Sequence, residues 1–233
     1  GALPAWLSRS SLFAAMDIIA ILFAVVGGRV IPAFTRNAVA GTNPVHQQWL
    51  EVGAFGLLLV LAATTLVDGG IGVSLASWTL VLPAFLAAAA HALRLAYWQP
   101  GVTIGNPLLW MMPVAYSWLP VALLLRGLSG LAIVPPSAWI HALTAGAFTS
   151  LMMAMMMRST LGHTGRKLEA SRADVFIFLV IQFAAVGRVL AGIVADHRTM
   201  TIVAGVFWVI AFVGFLARYG PMLVSPRVDG KPG

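Results

Sequence analysis

Residues 199–219 read TMTIVAGVFWVIAFVGFLARY, and no charged residue occurs in this stretch before Arg218. A helix that crosses the hydrocarbon core of a bilayer needs about 20 predominantly apolar residues. The whole chain has this character, since 60% of its 233 residues are hydrophobic and only 9% are charged. Only helices and closed barrels satisfy every backbone polar group in lipid, and barrel strands alternate apolar and polar residues. The sequence therefore predicts an integral membrane protein made of helices.

Seven apolar blocks predict an all-α, polytopic transmembrane bundle that forms one domain over residues 1–233. Stretches rich in polar residues, proline and glycine separate the blocks. Of the 14 lysines and arginines, ten fall on the predicted side of the C-terminus and four on the other side. The positive-inside rule then places the C-terminus in the cytoplasm. The predicted spans are 11–32, 51–67, 72–98, 107–125, 137–158, 173–194 and 199–219.

The net charge of +7 does not indicate a nucleic-acid partner, because no basic run or basic helix face accompanies it. The positive residues stand singly near the ends of apolar blocks, where membrane lipid is the expected partner. The chain has no cysteine, which excludes disulfides and thiolate metal sites. It also lacks a phosphate-binding loop, a dinucleotide fingerprint and the common hydrolase motifs, so the sequence specifies no reaction.

Charged and histidine side chains inside the spans are costly and need a reason. His91 and Arg94 are three residues apart and should share a helix face, with Arg29 at a similar depth. In one interpretation His91 bonds a carbonyl of a neighbouring helix and the arginines extend to the interface. In the other, His91 ligates a haem iron while Arg94 and Arg29 neutralise the haem propionates.

His141 opens the fifth span, and Ala145 and Gly146 follow one turn later. Small residues there would let a flat macrocycle approach the helix, which makes His141 a second candidate haem and metal ligand beside His91. They equally suit close packing of helices in lipid. The methionine run MMAMMM at 152–157 suits Cu(I) through its thioethers, or adaptable apolar filling.

Asp17 and Arg188 both fall in the outer third of their predicted spans. We expect an ion pair between their helices, and a proton relay is the alternative. Either arrangement would explain why two opposite charges are tolerated inside the membrane.

Three motifs resemble those of the NnrS family: GGRVIPAFTRNAVAG at 27–41, HALRLAYW at 91–98 and HALTAGAFTSLMMAMMMRSTLGHTGR at 141–166. The resemblance implies a protein of the bacterial inner membrane that contains haem and copper. It also implies a role in denitrification and in resistance to nitric oxide, with nitric oxide as a ligand. It identifies neither an electron donor nor a reaction.

The chain departs from the family pattern, because it begins with glycine and lacks the histidine-rich H-x-H-E-M-like block of the N-terminal half. We therefore expect it to be a C-terminal portion. At about 1.5 Å per helical residue, His91 and His141 should lie roughly 10–15 Å apart along the membrane normal. This spacing predicts two sites, or one site completed by the other half. A transporter of metal or metal–nitrosyl species and an assembly subunit are the alternative functions.

Overall fold

The computed structural model describes residues 5–70 and 78–230, with side chains described for residues 11–68 and 78–230. These residues contain seven helices that are long and apolar enough to span a membrane, and no strand occurs among them. The prediction of an all-α, polytopic transmembrane bundle is therefore confirmed. The helices are α1 (Ala5–Ala38), α2 (Gln48–Gly70), α3 (Trp78–Tyr97), α4 (Pro107–Gly130), α5 (Pro136–His163), α6 (Arg172–Leu190) and α7 (His197–Leu223).

Several helix ends differ from the predicted span limits. Helix α1 continues through Pro32 to Ala38, and α5 continues beyond residue 158 to His163, whereas α6 already ends at Leu190. Residues 72–77 of the third predicted span lie outside the described residues. The prediction placed each limit where apolar residues run out. A helix continues into the polar interface for as long as its backbone hydrogen bonds are made, so the two kinds of limit need not coincide.

Local capping chemistry sets where α4 and α6 begin. Asn106 accepts a hydrogen bond from the Leu108 amide, and Pro107 occupies the first helical position. Ser171 and Asp174 form a reciprocal capping box at the start of α6. Side chains therefore satisfy amide groups that have no partner within these helices.

Helix α4 is the centre of the bundle, since it packs against α1, α3 and α5 and is the most deeply buried of the spans. Helix α7 lies at the edge, where it packs mainly against α6 and buries only Ala204, Ala211, Phe215 and Tyr219. This arrangement creates two polar regions. One lies among α1–α4, and the other lies where α5, α6 and α7 meet.

Helix α5 contains a π-helical segment, Ala142–Phe148, directly after His141. The Thr149 hydroxyl donates to the Thr144 carbonyl, five residues earlier, at 2.9 Å. Such segments widen a helix locally and occur frequently at functional sites. The π-helical segment therefore makes the face of α5 that carries His141 a candidate functional site.

Candidate functional site

Arg94 is the centre of a buried polar cluster among α1–α4, which we call the closed cluster (Glu51, His91, Arg94 and Tyr116). Its Nε and Nη2 donate to the two carboxylate oxygens of Glu51 at 2.8 and 2.6 Å. Its Nη1 donates to the Tyr116 hydroxyl at 2.7 Å and to the Ala24 carbonyl at 2.9 Å. The forked guanidinium geometry suits this bidentate pairing, and all three nitrogens are used inside the protein.

His91 precedes Arg94 by one turn and is fully buried. Its Nδ1 lies 2.8 Å from the Tyr116 hydroxyl oxygen. Because that oxygen accepts from Arg94, the tyrosine proton is available to His91, and we assign Nδ1 as the acceptor. Nε2 then carries the ring proton. It has no hydrogen-bond partner among the described residues and lies near the Ala54 backbone on α2.

Two glycines of α1 make room for the closed cluster. A Cβ atom on Gly27 would lie 2.7 Å from the Tyr116 ring, and one on Gly28 would overlap Nη2 of Arg94. Contacts this short do not occur for real Cβ atoms, so the Gly27-Gly28 pair is required for Tyr116 and Arg94 to reach α1. This packing gives a physical reason for the glycines that open the motif at 27–41.

Arg29 lies next to these glycines, but its side chain is exposed. Arg94, by contrast, is only 3% exposed and is paired with Glu51. The structure therefore does not bring Arg29 and Arg94 together around a shared ligand. Arg29 and Arg94 were predicted to lie at a similar depth, but their side chains do not reach a common position in the bundle.

A second buried ion pair joins α1 to α4. Arg126 donates to both carboxylate oxygens of Asp17 and, at 2.7 Å, to the Thr65 hydroxyl. The prediction that Asp17 pairs with Arg188 is therefore wrong. Depth in the membrane was the basis of that prediction, and depth does not specify which helices are neighbours. Helix α1 packs against α4, so the arginine that reaches Asp17 is Arg126.

His141 and Arg188 line an open cavity of 280 Å³ where α5, α6 and α7 meet, which we call the open cavity. Both side chains are partly exposed. Within the described residues, neither makes a side-chain hydrogen bond or ion pair. The remaining lining residues are Ala145, Ala184, Thr201, Ala204, Gly205 and Trp208.

The structure separates the two small residues that follow His141. Ala145 lines the open cavity, whereas a Cβ atom on Gly146 would lie 2.5 Å from the Trp118 ring. The Trp118 indole donates to Gln182 at 2.8 Å, and Gln182 donates to the Ser150 hydroxyl at 2.8 Å. Gly146 therefore serves helix packing, and only Ala145 widens the space beside His141.

The methionine run faces more than one direction. Met152 and Met155 line an apolar groove between α1 and α5, while Met153 and Met157 are fully buried in the core. The groove is otherwise formed by the hydrocarbon side chains of Leu22, Phe23, Val26, Phe148 and Leu151. Residues 5–70 and 78–230 contain no group of three or more histidine, cysteine, aspartate or glutamate side chains that could hold a metal ion.

The two polar regions differ in how well they fit a haem. In the closed cluster, His91 directs both ring nitrogens into protein and Arg94 is paired with Glu51, so neither group is available. In the open cavity, His141 offers an imidazole, Arg188 offers a guanidinium, and small side chains form much of the wall. A volume of 280 Å³ lies just below the range of roughly 300–1,000 Å³ that is typical of ligand pockets. A haem held there would extend beyond the open side.

Sequence reasoning missed Glu51, Tyr116 and Arg126 as members of the polar clusters. The chain has only seven acidic residues, and Asp17 and Glu51 both lie on membrane-spanning helices. Asp68 and Asp174 lie on such helices too, so a search for one carboxylate to balance each buried arginine would have placed Glu51 among four candidates. No comparable signal marks Tyr116, whose hydroxyl is placed by packing alone.

Comparison with known proteins gives a family match. The family described as NnrS protein matches residues 2–227 of this chain. Searches of curated proteins and of solved structures found no match. The matched range contains the closed cluster, the Asp17–Arg126 pair and the open cavity. The chain belongs to the NnrS family.

Proposed function

We propose that this protein is a haem-binding integral membrane protein that contributes to resistance against nitric oxide and nitrosative stress. Membership of the NnrS family supports the role, because the resemblance implies haem and nitric oxide resistance. The seven spans support a multi-pass membrane location. We place that location in the bacterial inner membrane, with the C-terminus in the cytoplasm. The observation that carries the proposal is the open cavity, where a histidine and an arginine without hydrogen-bond partners among the described residues lie among small residues.

We assign His141 as the residue that would ligate the haem iron. Its side chain is partly exposed to the cavity and has no hydrogen-bond partner among the described residues, so a ring nitrogen is available. A neutral imidazole is an established haem ligand. When bound, a ferrous haem would supply the site for nitric oxide.

Arg188 and the small residues have complementary roles in this assignment. The guanidinium of Arg188 can form charge-assisted hydrogen bonds to a propionate, which would neutralise both charges in a low-dielectric setting. The cavity wall includes Ala145, Ala184 and Gly205. Because their side chains are short or absent, a flat ring can approach the helices. Arg188 thereby takes the place that the sequence analysis gave to Arg94 and Arg29.

Copper is the second cofactor that the resemblance implies. Met152 and Met155 would offer thioethers, which are ligands for Cu(I). Their groove otherwise contains hydrocarbon side chains only, so it supplies no third ligand from the described residues. The proposal therefore rests on haem alone.

An optical spectrum of the detergent-purified protein tests the proposal, recorded oxidised, reduced, and reduced with nitric oxide. We expect a Soret band that shifts when nitric oxide is added. His141→Ala should remove most of the haem, while His163→Ala, which changes an exposed histidine, should retain it. Arg188→Gln should lower haem content relative to Arg198→Gln, whose arginine is also exposed.

Two outcomes would contradict the assignment. Full haem content in His141→Ala would exclude this histidine as the ligand. A purified protein without any Soret band that nevertheless moved metal ions into liposomes would favour the alternative of a metal or metal–nitrosyl transporter.

A further inference from the structure

An apolar groove lies between α6 and α7, away from the open cavity. It has a volume of 740 Å³ and is open along its side. The floor of the groove is formed by the small residues Ala173, Gly214 and Ala217. Its edges are formed by large apolar residues, with exposed fractions of 61% for Phe176, 54% for Val209 and 58% for Val213. Small residues flanked by large apolar residues produce a shallow groove that is open toward the lipid.

The two ends of this groove differ in polarity. Arg218 closes one end, near the start of α6 and the last turns of α7. Its Nε and Nη2 bond Asp174, while its side chain stays 30% exposed. Arg172, which directly precedes Ala173, is exposed as well. Two arginines and one carboxylate leave a net positive charge at this end.

The length of the groove matches one leaflet of a bilayer. From Val209 to Arg218 the α7 backbone rises about 13–14 Å, at 1.5 Å per residue. The hydrocarbon core of a bilayer is about 30 Å thick, so each leaflet contributes roughly 15 Å. An apolar groove that begins at an interfacial arginine and runs to mid-membrane fits one extended acyl chain.

From the shape, the length and the charge of this groove, we infer that it binds an anionic phospholipid of the leaflet on the side of the C-terminus. One acyl chain lies along Ala217, Gly214 and Val213. The phosphate group lies against Arg172 and the free edge of Arg218. Asp174 holds Arg218 in place through its carboxylate and so orients the guanidinium toward the groove. This site is independent of the proposed haem site.

Native mass spectrometry of the detergent-purified full chain tests the inference, with phosphatidylglycerol and phosphatidylcholine of identical acyl chains as probes. We expect one phosphatidylglycerol to be retained in preference to phosphatidylcholine by about fivefold, the ratio that roughly one arginine contributes at a membrane surface. Arg172→Gln should reduce this preference. Ala217→Phe should fill the groove and reduce retention of both lipids.

Matched variants elsewhere control for general effects. Arg36→Gln removes an exposed arginine from the end of α1, and Ala89→Phe adds an exposed ring on α3. Both should retain phosphatidylglycerol as the unchanged protein does. Because all four positions are exposed, each variant should fold, and circular dichroism verifies this.

Three results would overturn the inference. In the first, the unchanged protein shows no preference between the two lipids. In the second, Ala89→Phe lowers retention as much as Ala217→Phe does. In the third, Ala217→Phe would leave lipid retention unchanged but convert a dimer to a monomer, which would assign the groove to a second copy of the chain.

Discussion

The closed cluster and the open cavity both contain a histidine and an arginine inside the membrane, yet they use them in opposite ways. In the closed cluster, Arg94 is bonded to Glu51 and Tyr116, and His91 is bonded to Tyr116. In the open cavity, the side chains of His141 and Arg188 line the cavity wall. A charge inside a membrane helix is costly and is usually paired or functional. From this comparison we propose a structural role for the first region and a ligand-binding role for the second.

The largest effect should come from breaking the closed cluster at its centre. Arg94→Met would leave the partly buried Glu51 carboxylate and the buried Tyr116 hydroxyl without their shared donor. Removing one partner of a buried ion pair typically costs about 3–5 kcal/mol, and we expect a loss of that size in the free energy of unfolding. Unfolding in mixed micelles of increasing SDS content measures it. Arg29→Met, at an exposed neighbour on α1, should be nearly neutral, and equal losses in both variants would refute the structural role.

The Asp17–Arg126 pair gives the next effect and can be isolated from other contributions. Asp17→Ala and Arg126→Ala should each destabilise the protein, and the double variant should cost less than the sum by about 0.5–3 kcal/mol. The same SDS unfolding assay provides all of these values. Asp17→Ala combined with Arg188→Ala should be additive, because Arg188 lies in the open cavity. Coupling to Arg188 instead would reinstate the pairing that depth alone predicted.

A smaller effect should follow from crowding the closed cluster without removing any of its groups. Gly28→Ala places a Cβ atom on Nη2 of Arg94, and such overpacking typically costs about 1–3 kcal/mol. Gly53→Ala on α2 meets no atom within 4 Å. It should stabilise the protein by about 0.5–1 kcal/mol, the usual gain for alanine over glycine in a helix. The difference between the two thermal unfolding midpoints reports the effect, and stabilisation by both substitutions would mean that α1 and α3 are further apart.

Substituting each histidine in turn should distinguish the one that stabilises the protein from the one that binds haem. His91→Ala leaves the Tyr116 hydroxyl without its buried acceptor, which typically costs about 1–3 kcal/mol. His141→Ala removes a partly exposed side chain that has no hydrogen-bond partner in the described part of the chain, so the free energy of unfolding should change by less than about 0.5 kcal/mol. Haem content should show the reverse order when both are measured on the same preparations. A large loss of stability in ligand-free His141→Ala would contradict the division of roles.

The number of spans and the shared face of His91 and Arg94 were predictable, because both depend on local properties of the chain. Apolar length decides whether a segment can cross a bilayer, and a three-residue spacing places two side chains on one face of a helix. The helix ends were less predictable. Backbone hydrogen bonding carries α1 past Pro32 and α5 past residue 158, into sequence that is no longer apolar.

Pairings between helices were not predictable from the same information. The similar depths of Asp17 and Arg188 suggested a pair that the structure does not contain. The methionines at 152–157 all have thioether side chains, which are potential Cu(I) ligands. In the structure these side chains divide between the core and a groove. In each example, the local pattern described the helix correctly and left its neighbours undetermined.

The sequence by itself determined that this protein is a bundle of membrane-spanning helices, that its polar residues are few, and which family it resembles. The tertiary structure alone decided which of those polar residues are paired and which remain open to a ligand. Arg94 and Glu51 are 43 residues apart, and Arg126 and Asp17 are 109 residues apart. Only the packing of neighbouring helices brings such groups together, because no local periodicity records which helix will lie beside another.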